Sequence, residues 1–206
     1  MPPKSSSPRP ADVTRRNEAS RRAILTAAFD LAGEIGFDKL TIEAIAARAG
    51  VGKQTIYRWW PSKGAVLLDA LLALSEPDNA AEAPEAGLPD TGDLEADLKL
   101  VLRATVAELA DPRFDRPLRG LTSAIMHDTD LAATYAERLQ SPVDALKRRR
   151  LESARAAGQL APEVDLDIAI ALIWSPLMDR WLLRSGPLTP EFADRVVETA
   201  LRGLRP

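Results

Sequence analysis

The sequence predicts an all-α protein in two parts, a three-helix domain over residues 17–62 and a larger helical domain over 63–206. Apolar residues recur every three or four positions through most of the 206-residue chain, which is the spacing of one helix face. A hydrophobic content of 46% is ordinary for a globular protein. Residues 75–92 interrupt the pattern with five acidic residues, three prolines and two glycines, so we expect a flexible acidic linker there.

The N-terminal helices are bounded by residues that suit helix ends. Residues 1–16 are rich in Pro, Ser and Arg, and we expect a disordered basic tail before a first helix that starts near Asn17. Thr41 can cap a second helix, and Ala49–Gly52 supplies a tight turn. A third helix over 53–60 stops at the proline that follows it.

The second domain shows the same helical periodicity. A fourth helix should begin after Ser62, which can act as its cap. Two later helices contain prolines that should disturb them, at Ser141–Pro142 and at Pro176. The periodic segments beyond the linker are 93–110, 113–126, 129–157, 165–184 and a last helix that opens at Thr189–Pro190.

Charge is divided unequally along the chain. Residues 1–64 carry 11 Lys/Arg and 6 Asp/Glu, whereas residues 65–206 carry 16 and 24, within a net charge of −3. A basic N-terminal part on an acidic body indicates that the N-terminal part contacts a polyanion.

The composition argues against several classes of function. With no cysteine and a single histidine, His127, the chain lacks disulfides and cysteine nucleophiles and has little material for a zinc site or a catalytic triad. No apolar run reaches the roughly 18 residues of a membrane span, and residues 1–10 do not resemble a secretory signal. We therefore expect a cytoplasmic protein that needs no cofactor and no membrane.

The segment Thr41–Lys63 predicts a helix-turn-helix motif. In this motif the first helix crosses the DNA backbone and the second enters the major groove. Here the turn contains Gly50, and the second helix is basic and aromatic. The segment therefore predicts a DNA-binding domain.

The motif resembles that of the TetR family of transcriptional regulators. Two positions depart from the family pattern: Trp59-Trp60 stands where His-Phe is usual, and Gly64-Ala65 where an acidic pair is common. Trp60 can fill the core position of the phenylalanine. The resemblance implies a helical ligand-binding and dimerisation domain after the DNA-binding domain. It is carried by Phe37, Leu40-Thr41-Ile42, Ile45-Ala46, Ala49-Gly50-Val51, Thr55-Ile56-Tyr57 and Lys63.

The resemblance assigns contacts on DNA to the third helix and its flanks. It places Lys53, Gln54 and Thr55 at base edges, and Tyr57 and Lys63 at phosphates. The alternative, an ordinary exposed helix face, does not explain the glycine turn and the basic surroundings together.

Three further residues are candidates for backbone contacts. Thr41 can present its backbone N–H to a phosphate, Trp59 can donate its indole N–H, and Arg58 adds a cation on the same helix. An N-terminal arm could also reach the minor groove, although a solvated tail is preferred. The cations of that arm are Lys4, Arg9, Arg15 and Arg16.

The last two helices are expected to form a dimer interface. Aromatic residues are enriched at interfaces, and two tryptophans lie one heptad apart on the penultimate helix. The resemblance implies a four-helix interface, while core packing within one chain is the alternative. The interface candidates are Ile170, Trp174, Leu177, Trp181, Val196, Val197 and Leu201.

The resemblance also implies a small-molecule pocket in the second domain. Because few charges fall on the candidate faces, we expect a largely apolar ligand. The apolar candidates are Leu98, Val101, Leu102, Leu121, Ile125, Met126, Tyr135, Ile173 and Met178, with Thr105 and His127 as polar groups.

Two charged features have plainer interpretations. His127 beside Asp128 and Asp130 could suggest a metal site, but the aspartates are better explained as helix caps. The four cations of Lys147–Arg150 point in different directions on a helix, so a solvated helix is preferred to a binding face.

The favoured function is that of a dimeric, sequence-specific repressor. It would bind a palindromic double-stranded operator and be released by a small, largely apolar effector. One alternative is a small helical enzyme or lipid carrier, against which the scarcity of Cys and His argues. A non-specific architectural DNA binder is the other, and it would not need a separate acidic domain with its own core.

Overall fold

The computed structural model describes residues 10–75 and 87–206, which fold into ten α-helices and one π-helical turn without a β-strand. None of these helices is both long and apolar enough to cross a membrane. The predicted all-α fold is therefore confirmed. The elements are α1 (Pro10–Ile35), α2 (Ile42–Ala49), α3 (Lys53–Tyr57), α4 (Lys63–Ser75), α5 (Leu94–Ala110), α6 (Pro112–His127), α7 (Thr129–Tyr135), the π turn (Ala136–Gln140), α8 (Ser141–Ala156), α9 (Leu166–Leu183) and α10 (Pro190–Leu204).

Helix α1 begins at Pro10, earlier than the start predicted near Asn17. Proline suits a first helical turn because its φ is already helical and its missing N–H would have no partner there. Residues 10–16 are thus helical, where a disordered tail was expected. Residues 1–9 and residues 76–86 of the predicted linker lie outside the described residues.

Helices α7 and α8 form one continuous helix through the π turn. Pro142 lacks the N–H that would bond to the carbonyl four residues earlier. Just before it, the Ser141 N–H bonds to the Ala136 carbonyl, five residues back. The interruption predicted at Ser141–Pro142 is therefore one widened turn, and the helix continues on both sides of it.

The buried apolar residues form two clusters, which we call the first and second cores. The first core joins α1–α4 to α6 and α7, because Leu121 and Leu131 pack with the N-terminal helices. The second core lies between α5, α8, α9 and α10. Helix α4 packs on α1, so the division predicted after residue 62 passes through the first core.

Two glycines allow the helices of the second domain to approach the N-terminal helices closely. A Cβ at Gly120 would lie 2.2 Å from the Cβ of Phe37, and one at Gly64 would lie 2.7 Å from the Cδ2 of Leu131. Neither position tolerates a side chain without a shift of its neighbour. Gly64, which departs from the acidic pair of the family pattern, thus lets α4 pack against α7.

A buried ion pair closes one side of the second core. Arg150 Nη2 donates to the Asp97 carboxylate at 2.7 Å, and both side chains are almost fully buried. Burial alone would raise the pKa of Asp97, but hydrogen bonds from Arg150 and Thr91 outweigh it and lower that pKa. The solvated helix expected for Lys147–Arg150 is therefore wrong for Arg150, because the carboxylate partner comes from a distant helix.

Lys63 ties the start of α4 to the loop between α1 and α2. Its ammonium group donates to the carbonyls of Phe37 at 2.8 Å and Leu40 at 2.9 Å, and lies 4.4 Å from the centre of the Phe37 ring. These contacts occupy the group that was predicted to bind phosphate. The Phe37 carbonyl also accepts the Leu40 N–H at 3.1 Å, so Lys63 adds a second donor to a carbonyl of this loop.

Replacement of Lys63 should therefore lower stability. We expect Lys63→Gln to reduce the free energy of unfolding by about 1.5 kcal/mol, at the low end for hydrogen bonds from a charged group. Lys53→Gln is the matched control, because Lys53 is exposed and lies 3.8 Å from Glu43. It should stay within about 0.5 kcal/mol of the wild type in urea unfolding. Equal losses in the two variants would contradict the structural role of Lys63.

Candidate nucleic-acid interface

The geometry of the α2–α3 turn depends on a capping threonine and a glycine. The Thr41 side chain accepts the Ala44 N–H at 3.1 Å, which confirms the predicted cap. Gly50 has φ 67°, in the left-handed region that glycine adopts without steric cost. The Val51 N–H then bonds to the Ala46 carbonyl at 3.0 Å and closes the turn.

One side of α3 is anchored in the first core. Ile56 is fully buried and Trp60, just past the helix, is nearly so. The opposite side is exposed to solvent, and Thr55, at the edge of that side, is half-buried. The exposed residues are Lys53, Gln54, Tyr57 and Arg58. Most of the residues predicted to contact DNA thus lie on one exposed surface, which we call the α3 face.

The two tryptophans after α3 have different environments. Trp60 takes the core position predicted for it, and its indole N–H donates to Asp69 at 2.8 Å. Trp59 is half-buried, packs edge-on against Trp60 with ring centres 5.4 Å apart, and lies 5.2 Å from the Arg58 guanidinium. The Asp69 contact was not predicted, although a buried indole N–H always requires an acceptor nearby.

Only some cations near the motif are available for an outside partner. Arg48 binds the Glu34 carboxylate through two hydrogen bonds of 3.0 and 2.8 Å, and the bond from Arg48 lowers the pKa of Glu34. Arg58 has no acidic partner in the described part of the chain. Lys53 is held only loosely by Glu43. The α3 face therefore keeps two cations that internal pairing does not neutralise.

The predicted ligand-binding residues do not surround one cavity. Leu98, Leu102 and Ile173 are buried in the second core, with Val101 packed against it, while Leu121 and Ile125 pack in the first core. The Thr105 hydroxyl donates to the Val101 carbonyl of its own helix. Met126 is 72% exposed and His127 is also exposed, so neither lines an interior site. Each helix does carry an apolar stripe, but the stripe of α5 faces the second core and that of α6 faces the first core.

A groove of about 620 Å³ does open between the π turn, α8 and α9. Met178 lines it as expected, and so do Ile170 and Trp174, which were assigned to the dimer interface. The remaining apolar wall comes from Tyr135, which was also a ligand-binding candidate, and from Leu139, Val143 and Ala171. We call this the α8–α9 groove.

Six of the residues that line the α8–α9 groove are polar or charged: Tyr135, Gln140, Asp144, Lys147, Asp167 and Ser175. The Lys147 ammonium donates to Asp144 at 2.9 Å and lies 5.2 Å from the centre of the Trp174 ring. Burial raises the pKa of Tyr135, and the negative charge of Asp144 adds to the effect, so the phenol keeps its proton near neutral pH. The groove thus combines an aromatic wall with a phenolic O–H, a cation paired with Asp144, and a second carboxylate, Asp167.

The predicted dimer seam is wrong for four of its residues. Leu177, Trp181, Val197 and Leu201 are buried within a single chain. Trp181 donates its indole N–H to Asp115 at 2.7 Å, and the Arg119 guanidinium lies 4.4 Å from the centre of its ring. Val196 is half-buried beside the second core. Helix α9 is apolar around most of its circumference, so spacing did not indicate which of its stripes faces inward, whereas the single apolar stripe of α10 packs in the second core of its own chain.

A different side of α9 is exposed. It has a single charged residue, Asp179, and its large side chains Ile168 and Leu172 are 59% and 49% exposed. We call this the α9 face. Its other residues are Ala171, Ser175, Met178 and Leu182.

The structure gives His127 no metal partners. Among the described residues, no group of three or more His, Asp or Glu side chains is arranged to hold a metal ion. Asp128 accepts the Leu131 N–H at 3.0 Å and caps α7, as the sequence predicts.

Comparison with known proteins identifies the family. Residues 24–70 match the family described as bacterial regulatory proteins of the tetR family, and residues 88–200 match the tetracyclin repressor-like C-terminal domain. The chain is 32% identical over 191 residues to the uncharacterized HTH-type transcriptional regulator YdeS of Bacillus subtilis, covering 92% of each protein. It is 28% identical to the DNA-binding transcriptional repressor TetR of Mycobacteroides abscessus, covering 92% of this chain and 95% of that protein.

A solved structure agrees with these matches over both domains. The TetR family transcription regulator SCO0332 superposes with a TM-score of 0.70 at 34% identity, over 91% of this chain and 99% of that one. The matched families and relatives are transcriptional regulators and not enzymes. With its capped α2, its glycine turn and its anchored α3, the chain belongs to the TetR family of helix-turn-helix transcriptional regulators.

Proposed function

We propose that this chain is a dimeric repressor that binds a palindromic operator through the α3 face and leaves it when a small molecule binds. The observation that carries the proposal is the α3 face itself. Its inner side is fixed by Ile56 and Trp60, so Lys53, Gln54 and Arg58 project together from a rigid base. Pre-positioned donors lose little conformational freedom on binding, which favours specific contacts.

We assign separate roles to the two ends of this surface. Lys53, Gln54 and Thr55 lie at the start of α3, the part of a recognition helix that reaches base edges. Tyr57, Arg58 and Trp59 follow and are assigned to phosphates. Thr41 keeps its backbone role, and its hydroxyl, which accepts the Ala44 N–H as the cap of α2, still has its O–H to donate to a phosphate. Lys63 is removed from the phosphate-binding set because its ammonium group is bound to carbonyls.

Fluorescence anisotropy with the DNA upstream of the chain's own gene tests these roles. Tyr57→Phe removes one phosphate donor and should weaken binding about three- to tenfold on every DNA that binds. Gln54→Ala should instead change the order of preference among duplexes with single substitutions in the half-sites. A scrambled duplex is the control. If the wild type binds it as tightly, the protein is a non-specific DNA binder and the proposed function fails.

We propose the α9 face as the homodimer interface. Monomeric proteins rarely expose a continuous apolar surface of this kind, and it carries one charge, from Asp179. The small residues Ala171 and Ser175 allow a second helix to approach closely, and because they and Met178 also line the α8–α9 groove, the interface would border that groove. Two half-sites require that the α3 helices of the two subunits lie about 34–36 Å apart on one side of the dimer.

Leu172→Glu tests the interface because it places a charge in the middle of the α9 face. We expect a dimer for the wild type and a monomer for the variant in sedimentation velocity, with loss of at least about tenfold in operator affinity. Leu100→Glu is the matched control, since Leu100 is 60% exposed on α5 and away from this face. It should leave the dimer intact. A monomeric wild type would exclude the interface.

We propose the α8–α9 groove as the effector site. It joins apolar and aromatic side chains to a few polar groups, and an acidic group on the ligand would have to compete with Asp144 for Lys147. A ligand that prefers one arrangement of these helices shifts the population away from the DNA-binding arrangement.

Anilinonaphthalene sulfonate is a suitable first probe for the groove, because its aromatic rings can pack against Trp174 and Tyr135. Val143→Glu brings a charge into the groove and should weaken dye binding about tenfold in a fluorescence titration. Leu100→Glu makes the same change outside the groove and should have no effect. Unchanged dye affinity in Val143→Glu would place the binding elsewhere.

A further inference from the structure

One carboxylate connects the DNA-binding helices to the second domain. Asp69, on α4, accepts the Trp60 indole N–H on Oδ2 at 2.8 Å and Arg138 Nη1 on Oδ1 at 2.5 Å. Arg21, on α1, also reaches Oδ2, at 3.4 Å. The Asp69 side chain is only 12% exposed. Three donors from three different elements therefore share two oxygens in a largely buried place.

Two of these donors lie beside surfaces with a proposed function. Trp60 completes the turn that follows α3, since its backbone N–H bonds to the Ile56 carbonyl at 3.0 Å. Arg138 lies in the π turn, and two residues close to it in sequence, Tyr135 and Leu139, line the α8–α9 groove. Asp69 is thus the point at which a change in the π turn can reach the end of α3.

The surroundings leave room for such a change. A cavity of about 370 Å³ adjoins the carboxylate and is lined by Trp59, Trp60, Asp69, Leu131 and Arg138. Arg138 is 45% exposed, so it can leave Asp69 without unfolding its neighbours. Because Arg138 is open to solvent, its attraction to the largely buried Asp69 carboxylate is partly screened. The role of this ion pair therefore follows from its position between the two domains and not from its contribution to stability.

We propose that Arg138 is a positioning residue for DNA binding: through Asp69 it holds the Trp60 indole and, with it, the end of α3. Loss of the Arg138 contact leaves Asp69 to Arg21 and Trp60, so the carboxylate can turn and the indole follows it. This inference rests on the proposed function, because it states how the effector groove is coupled to the α3 face.

A double-mutant cycle tests the coupling. Arg138 and Trp60 come from different domains, and the link between them is Asp69. Arg138→Gln and Trp60→Phe should each weaken binding to the upstream DNA about three- to tenfold, and the double variant should be no weaker than the weaker single variant. If the two effects multiply, Arg138 acts independently of Trp60 and the proposal is overturned.

A spectroscopic test does not depend on DNA. The chain has four tryptophans, so its indole N–H groups give four resonances in a nitrogen–proton correlation spectrum. Arg138→Gln should shift the Trp60 indole resonance, which Trp60→Phe identifies by its loss. Asp69→Asn keeps one side-chain oxygen that can accept the indole N–H, and it should also shift the Trp60 resonance. This variant identifies the resonance if Trp60→Phe does not fold.

The matched control is Arg103→Gln. Arg103 is 51% exposed and bridges α5 and α10 through Asp194, far from Asp69. It should leave both the DNA affinity and the Trp60 resonance unchanged. An unmoved resonance in Arg138→Gln overturns the proposal whether or not the wild type binds DNA. If the wild type binds no upstream DNA while Arg138→Gln still shifts the Trp60 resonance, the proposed function alone is overturned.

Discussion

Burial of Ile56 and Trp60 in the first core is the constraint on which the DNA-binding surface depends. Helix α3 has five residues and is too short to be stable by itself, so its orientation comes from these two anchors. Once they point inward, Lys53, Gln54, Tyr57 and Arg58 must point outward. Trp60 adds a second constraint, because its buried N–H requires an acceptor and Asp69 supplies one.

The first core also explains how the two domains are joined. Leu121 and Leu131 pack with the N-terminal helices, although both follow the linker segment in sequence. The continuous helix over 129–156 starts in that core and ends in the second core, where Leu151 and Ala154 are buried. It therefore connects the helices that orient α3 to those that carry the groove and the α9 face. The π turn lies between these two ends.

Several cations of this protein are bound by groups of the protein itself and are not available at its surface. Arg48, Lys63 and Arg150 are held by a carboxylate, by backbone carbonyls and by a buried aspartate, respectively. Each would count toward a basic surface in the sequence, and none is free to bind a polyanion in this structure. The cations left for DNA are fewer than composition suggests, and Lys53 and Arg58 on the α3 face are among them.

The sequence by itself determined the all-α class, the helix-turn-helix, its caps at Thr41 and Ser62, and the inward positions of Ile56 and Trp60. These features depend on local spacing, cap chemistry and backbone freedom, which are properties of neighbouring residues. Only the tertiary structure decided that Trp181 is buried, that Met126 is exposed, and that Lys63 and Arg150 bind inside the protein. The physical reason is that an apolar stripe or a charged side chain does not specify its partner. That partner comes from a distant part of the chain and is chosen when the helices pack.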